Sequence, residues 1–228
     1  MKIMIAVPCM DQVPTPFCGA LAKLQKTGEC YLAMQMGSLI YTSRNTLATQ
    51  AIQNEVDYVF WLDSDMVFEP DTLIRMMDVL QKNDLDILTG LYFRRVQPYS
   101  PVLFNKLEKK DEETFEWSEF QEIPNHMFEV GGCGFGCVLM KVDPFLDVQS
   151  RFGNMFAPIG NTGEDLAFCW RARQCGFKIW CDPSIICGHV GYVISDEKYI
   201  ESYKAKLIAA QDSKLLDFVS DGSEVTNA

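Results

Sequence analysis

Positive charge is scarce in this sequence: 20 Lys and Arg stand against 31 Asp and Glu in 228 residues, a formal net charge of −11. Such a chain is poorly suited to gripping nucleic-acid phosphates over a broad surface. A small anionic ligand remains open to it, because a bound metal ion supplies positive charge locally. Histidine is nearly missing, with only His126 and His189. No stretch approaches 18 uninterrupted apolar residues, so no membrane span is expected. The run Met1 to Pro8 is too short for an export signal and lacks a small-residue cleavage site. It reads as a first buried strand, and a cytoplasmic location is expected. The nine cysteines lack paired Cys-x-x-Cys spacing, and several lie inside apolar runs. That pattern points to buried, hydrophobe-like thiols in a reduced interior rather than a structural zinc site.

What is present suits one α/β domain over residues 1–194, followed by a helical extension and disordered tail over 195–228. A second strand is expected near Tyr31 to Met36, and a short helix at Leu21 to Leu24. Thr42 or Ser43 is expected to cap a helix reaching about Asn54. Tyr58 to Leu62 is five apolar or aromatic residues in a row, the pattern of a fully buried strand. Pro70 is placed at the first position of the next helix, with Leu73, Ile74, Met77 and Leu80 inward. A strand follows over Asp86 to Tyr92. Residues 105–122 are crowded with charge and read as an exposed hairpin or acceptor-side loop. A strand at Cys137 to Met140, a helix from Gly163 to Gly176 and a strand from Phe177 to Ile186 complete the alternation. Strands alternating with helices in this way imply a mostly parallel sheet.

Four features carry chemistry. Asp63-Ser64-Asp65 closes the buried run, where an open α/β sheet places its ligands. Two carboxylates one residue apart can reach one hard cation such as Mg²⁺ or Mn²⁺ while Ser64 points away. Gly131 to Gly136 is dense in glycine, which suggests backbone passing close to a ligand, positive φ, or a tight turn. It precedes a strand, so the dinucleotide fingerprint does not apply. Gly163-Glu164-Asp165 opens a helix, where acidic residues also suit the dipole and free amides. His189, between Gly188 and Gly191, has the side chain of a metal ligand.

In this order the four features resemble the GT-A glycosyltransferases, particularly the large group that includes bacterial inverting enzymes. Ser43-Arg44-Asn45 resembles the Ala-Arg-Asn lying upstream of the DxD in that group. The resemblance implies a Rossmann-like GT-A domain whose mostly parallel sheet is flanked by helices. It also implies a Mn²⁺ or Mg²⁺ ion held by Asp63, Asp65 and His189. The donor would be a UDP- or GDP-sugar contacted by Pro8, Asp11, Arg44, Asp63, Ser64, Gly132, Cys133 and Gly134. Asp165 would serve as catalytic base and Glu164 would bind donor sugar or acceptor, with inversion at the anomeric carbon. The acceptor would be a glycan, a protein or another hydroxyl compound, and the acidic charge disfavours nucleic acid. No acidic residue for the nucleotide base follows the second strand, so Asp11 is the only candidate for base or ribose. Two alternatives use the same elements. A nucleotidyltransferase making a nucleotide sugar would bring a basic glycine-rich segment near the amino terminus, and Pro8 to Gly19 holds no Lys or Arg. A non-catalytic nucleotide-sugar-binding scaffold would keep the fold without turnover.

Overall fold

A computed structural model describes residues 1–37, 39–191, 201 and 203–205. The chain opens β1 (Lys2–Cys9), α1 (Thr15–Lys23), β2 (Glu29–Met36), α2 (Ile40–Gln53) and β3 (Tyr58–Leu62). Next come β4 (Met66–Val67), α3 (Thr72–Lys82), β5 (Ile87–Leu91) and the hairpin of β6 (Leu103–Lys109) with β7 (Phe115–Glu119). It closes with β8 (Phe128–Val130), β9 (Gly132–Cys133), β10 (Cys137–Lys141), α4 (Asp143–Phe152), α5 (Glu164–Gln174), β11 (Ile179–Ile186) and β12 (Gly188–His189). The main sheet runs β2-β1-β3-β10-β5-β11-β8. Within it β10 and β8 lie antiparallel to their neighbours, and the other pairings are parallel. The expectation of a mostly parallel sheet flanked by helices is borne out.

Strand alternation builds two cores. In β3, Val59 and Trp61 face one side, while Phe60 and Leu62 face the other. Met4 and Ala6 of β1 share the first side, where Leu47, Ala48 and Ala51 of α2 cover them together with Phe145 of α4 and Phe168 of α5. Ile3, Ile5 and Val7 share the second side, under Phe17 of α1 and Leu73, Met76 and Leu80 of α3. Both faces are therefore closed, which is why the β3 sequence is an unbroken apolar run. Trp61, Phe60 and Leu62 are fully buried, each worth about 1.5–3 kcal/mol of transfer free energy.

Several local expectations need correction. The second helix starts at Ile40 with Leu39 as N-cap and no side-chain cap, so neither Thr42 nor Ser43 opens it. Ser43 and Arg44 are instead buried inside its first turns. Pro70 is the second residue of a turn in which Thr72 N bonds Glu69 O at 3.1 Å, and α3 begins at Thr72. The first helix is longer than expected and starts on Pro14-Thr15-Pro16, because proline at its first positions sacrifices only an amide with no partner in the helix. The sequence reading ran through α4, which starts at Asp143-Pro144 and ends on Gly153 at φ 75°. By contrast α5 ends as expected. Gly176 has φ 97°, its N–H bonds Arg173 O at 3.0 Å, and Phe177 N bonds Ala172 O at 3.1 Å, a Schellman closure.

Residues 105–122 form the expected hairpin, with β9 as its third strand. Cys9, Cys133, Cys137, Cys169, Cys181 and Cys187 are buried, as expected, but Cys30 and Cys175 are only partly buried and Cys18 is exposed. No helix among the described residues is long and apolar enough to cross a membrane. The expected helical extension and disordered tail over 195–228 lie outside the described residues, except for 201 and 203–205.

Candidate active site

The chain runs from β1 to β2 on one side and then to β3 on the other, so the carboxyl ends of β1 and β3 flank a topological switch point. Asp63 follows β3 at this point. Its N–H bonds Gly136 O at 3.1 Å, which fixes the turn against the glycine segment. Two Asp-centred arrangements then diverge from Asp63-Ser64-Asp65.

The first is built on Arg44. Helix α2 carries it through the packed layer, and it is only 2% exposed. Nη2 donates to Asp63 Oδ1 at 2.7 Å, and Nε donates to Glu164 Oε1 at 3.2 Å. The guanidinium lies 5.6 Å from the Trp61 ring and 5.3 Å from the Phe135 ring. These contacts compensate a costly burial. Burial alone would pull the guanidinium down, yet the surrounding Asp63, Glu164 and Asp165 carry it above its ordinary value. Nη1 is buried with no hydrogen-bond partner among the described residues. Asn45, beside Arg44, accepts Phe156 N at 3.0 Å and donates to Tyr41 O at 2.9 Å. It thereby seats Phe156 in the aromatic cluster with Trp61, Phe135 and Phe168.

Glu164 and Asp165 open α5, but neither is its N-cap; Gly163 holds that position without a side-chain bond. Glu164 is committed to Arg44. Asp165 Oδ1 accepts Leu166 N at 2.8 Å. Burial and the neighbouring Glu164 charge push the Asp165 carboxyl up to about 6, against the downward pull of Leu166 N–H and Arg44. A carboxylate tuned to that range can take a proton at neutral pH and release it again.

The second arrangement is built on Asp65. Strand β12 pairs antiparallel with β4, His189 opposite Met66, and Val190 N bonds Asp65 O at 2.7 Å. This pairing carries His189 across 124 residues of sequence to the acidic turn. His189 Nδ1 lies 2.8 Å from Phe93 O. A carbonyl only accepts, so Nδ1 carries a hydrogen, and Nε2 faces Asp65 Oδ2, 3.4 Å away. A ring nitrogen and a carboxylate oxygen that face one another can share a proton or a cation. Nδ1–H on a backbone carbonyl is also the usual support of a metal-binding imidazole. Arg95 Nη1 reaches the same Asp65 oxygen at 2.9 Å. Burial pushes the Asp65 carboxyl up, but His189 and Arg95 together hold it below the usual range.

Asp63 turns to Arg44, and Asp65 and His189 are the pair that face one another at the acidic turn. Among the described residues no three His, Cys, Asp or Glu side chains converge as a cage. A two-residue set suits a hard cation that keeps its other positions for water and phosphate oxygens.

The glycine segment has a structural explanation. None of Gly131, Gly132, Gly134 and Gly136 has positive φ. A Cβ at Gly134 would lie 2.1 Å from the Tyr92 hydroxyl, one at Gly136 2.7 Å from the Tyr92 ring, and one at Gly131 2.8 Å from Asn105 O. The close approach is to the protein itself, and Gly132, Cys133 and Gly134 are buried. Gly136 N donates to the Tyr92 hydroxyl at 3.1 Å, and the Tyr92 ring stands edge-on to His189 at 5.6 Å. Tyr92 thus links the glycine segment to the histidine. Pro8 is buried at the end of β1, Asp11 is exposed just beyond it, and Ser64 is partly buried. Tyr92 and Arg95 stand at the site although the sequence places neither there; Arg94-Arg95 reads in sequence only as a local basic patch. Neither carries a motif, and only the 3.4 Å and 2.9 Å contacts around Asp65 reveal Arg95 as part of the site.

Comparison with known proteins agrees with this architecture. The Anp1 model, a glycosyltransferase family, matches residues 34–101, which include Arg44 and the acidic turn. No curated protein matches the chain. The crystal structure of A197 from STIV superposes with a TM-score of 0.62 at 19% identity, covering 84% of this chain and 86% of that one. GalNAc-T7, solved with UDP, GalNAc and Mn²⁺, superposes with a TM-score of 0.57 at 8% identity, covering 90% of this chain and 47% of that one. The fold is that of the GT-A glycosyltransferases.

Proposed function

We propose that the protein is a metal-dependent glycosyltransferase that moves a sugar from a nucleoside-diphosphate donor to an acceptor hydroxyl with inversion. The observation that carries this reading is the meeting of two arrangements at one switch point. One is an imidazole nitrogen facing a carboxylate at 3.4 Å, at Asp65 and His189. The other is a carboxylate raised to about 6, at Asp165.

Asp65 and His189 would hold Mn²⁺ or Mg²⁺, which supplies neutralising charge for the departing diphosphate. Asp165 takes the proton from the acceptor hydroxyl as that oxygen attacks the anomeric carbon. Glu164 is unsuited to this step because Arg44 occupies its carboxylate; it holds the Arg44 bracket and faces donor sugar or acceptor from there. Asp63, fixed by the same guanidinium, presents its outer oxygen to the ribose or to a cation-bound water. Asp11 and Ser64 would contact the donor, with Pro8 buried behind them at the end of β1. Gly134, with Gly136, acts from beneath, by letting Tyr92 pack where it supports both the acidic turn and His189, while Gly132 and Cys133 let α5 pack close. Arg44 therefore organises carboxylates in place of clamping phosphate.

GalNAc-T7 makes a UDP-sugar with Mn²⁺ the first combination to try. The test is release of nucleoside diphosphate from a panel of UDP- and GDP-sugars, with acceptor hydroxyl compounds and with Mn²⁺ or EDTA. Cation-dependent release from at least one donor is expected. Activity toward a nucleoside triphosphate and a sugar phosphate, with none toward sugar nucleotides, would favour a nucleotidyltransferase instead.

A further inference from the structure

The loop between β5 and β6 brings a second guanidinium to the site, and core packing does not account for its position. Phe93 bridges Pro101, Arg94 N donates to Ser100 O at 2.9 Å, and Tyr99 N donates to Val96 O at 2.8 Å. Residues 93–101 therefore close on themselves as a compact flap. Its two arginines part company at the stem. Arg94 pairs with Glu119 of β7 at 3.5 Å, while Arg95 Nη1 reaches back to Asp65 Oδ2 at 2.9 Å. That is the oxygen His189 Nε2 faces, so Arg95 stands on Asp65 where a divalent cation would bind. Its side chain is 53% exposed. Half-exposed pairs of this kind are weak and readily exchanged. Beside it opens a cavity of about 480 Å³ lined by Arg95, Val96, Val190 and Gly191. A guanidinium freed from Asp65 there would present a planar fork of donors, which fits phosphate oxygens two at a time.

We infer that Arg95 is an exchangeable guanidinium, which neutralises Asp65 while the site holds no cation and turns to the donor diphosphate once a cation binds Asp65 and His189. The inference rests on the proposed function and adds to it a residue with two partners in sequence. One charge serves twice: it keeps an acidic turn from standing bare, and it then offsets the leaving group's charge. The two roles make opposite demands on a variant. Removing Arg95 takes away a competitor of the cation and, at the same time, a ligand of the diphosphate.

Calorimetry separates them without turnover. Mn²⁺ alone is titrated into wild type, Arg95→Ala and Arg95→Lys, and UDP and GDP are then titrated at saturating Mn²⁺. Arg95→Ala is expected to bind Mn²⁺ about two- to fivefold tighter, the scale of an exposed ion pair. It should bind the preferred nucleoside diphosphate about tenfold weaker or worse, the scale of a charge-assisted hydrogen bond. Arg95→Lys should keep the wild-type Mn²⁺ affinity and recover only part of the diphosphate affinity, because an ammonium lacks the fork. Unchanged or weaker Mn²⁺ binding in Arg95→Ala overturns the exchange, since Arg95 would then be a support for Asp65. Unchanged diphosphate affinity overturns it too. Wild-type protein that takes neither Mn²⁺ nor a diphosphate would overturn the proposed function itself, so the two failures are distinguishable.

Discussion

Two arginine–aspartate pairs sit one residue apart in the acidic turn, and they are built to opposite ends. Arg44–Asp63 is 2.7 Å long, its arginine side chain 3% exposed, doubled by Glu164 and laid over two aromatic rings. Arg95–Asp65 is 2.9 Å long, its arginine side chain is 53% exposed, and His189 faces the same carboxylate oxygen. Nearly equal lengths therefore say little about what each pair does. Desolvation separates them: a buried charge cannot lose its partner without leaving its counterion stranded, whereas an exposed one exchanges its partner for water at small cost. The first pair is scaffold, and the second is a position that a ligand can enter.

Breaking the buried pair should have the largest effect. Arg44→Met is expected to destabilise the fold by about 3–5 kcal/mol, because it strands Asp63 and Glu164 in a packed layer. Thermal unfolding reads this directly. A loss within 1 kcal/mol would show that the carboxylates relax to solvent, and the contrast between the pairs would fail.

Asp165→Asn comes next, and it acts in opposite directions on rate and stability. Transfer should fall by about 100-fold or more, since Asn keeps the shape and the bond to Leu166 N but cannot take a proton. In the wild type, the rate should rise with pH through about 6 as Asp165 ionises. Stability runs the other way. A carboxyl whose folded value is raised binds its proton more tightly in the native state, so its contribution falls as pH rises from about 4 to 6. The Asn variant is therefore expected to be more stable than wild type at pH 7, by about 1–2 kcal/mol after allowing for partial solvent screening. A near-normal rate with verified product would pass the base role to another group.

How much of this is legible in the sequence depends on the range of the interaction. The apolar run of β3, the acidic turn after it and the Gly176 ending of α5 are local, and each was readable from its own few residues. The Arg44–Glu164 bond spans 120 residues and the β4–β12 pairing a similar distance, so nothing in their local patterns announces them. The glycine segment shows a different limit. Its density signals a close approach, but whether to a ligand or to Tyr92 is a fact of packing. Arg95 stood in plain view beside Arg94, and only the fold reveals that one turns to Glu119 and the other to Asp65.

Smaller effects sharpen the exposed side of the comparison. His189→Ala should weaken Mn²⁺ binding by about 10- to 100-fold, with little change in unfolding temperature, because the ring is only partly buried. A large fall in unfolding temperature with intact metal affinity would make His189 a core residue. Smallest of all, Arg95→Ala should move stability by no more than about 0.5–1 kcal/mol, the scale of an exposed ion pair. Set against the Arg44→Met loss in the same unfolding assay, that difference measures how far burial separates the two pairs.

The central claim is that Asp65 and His189 form a cation site that receives a nucleoside diphosphate. Its most direct test is calorimetric titration of UDP and GDP into wild type, Asp65→Ala and Asp165→Asn, with Mn²⁺ and with EDTA. Binding of one nucleotide should require Mn²⁺, vanish in Asp65→Ala and persist near wild-type strength in Asp165→Asn. Equal affinity in EDTA, or undiminished Mn²⁺-dependent affinity in Asp65→Ala, would contradict it.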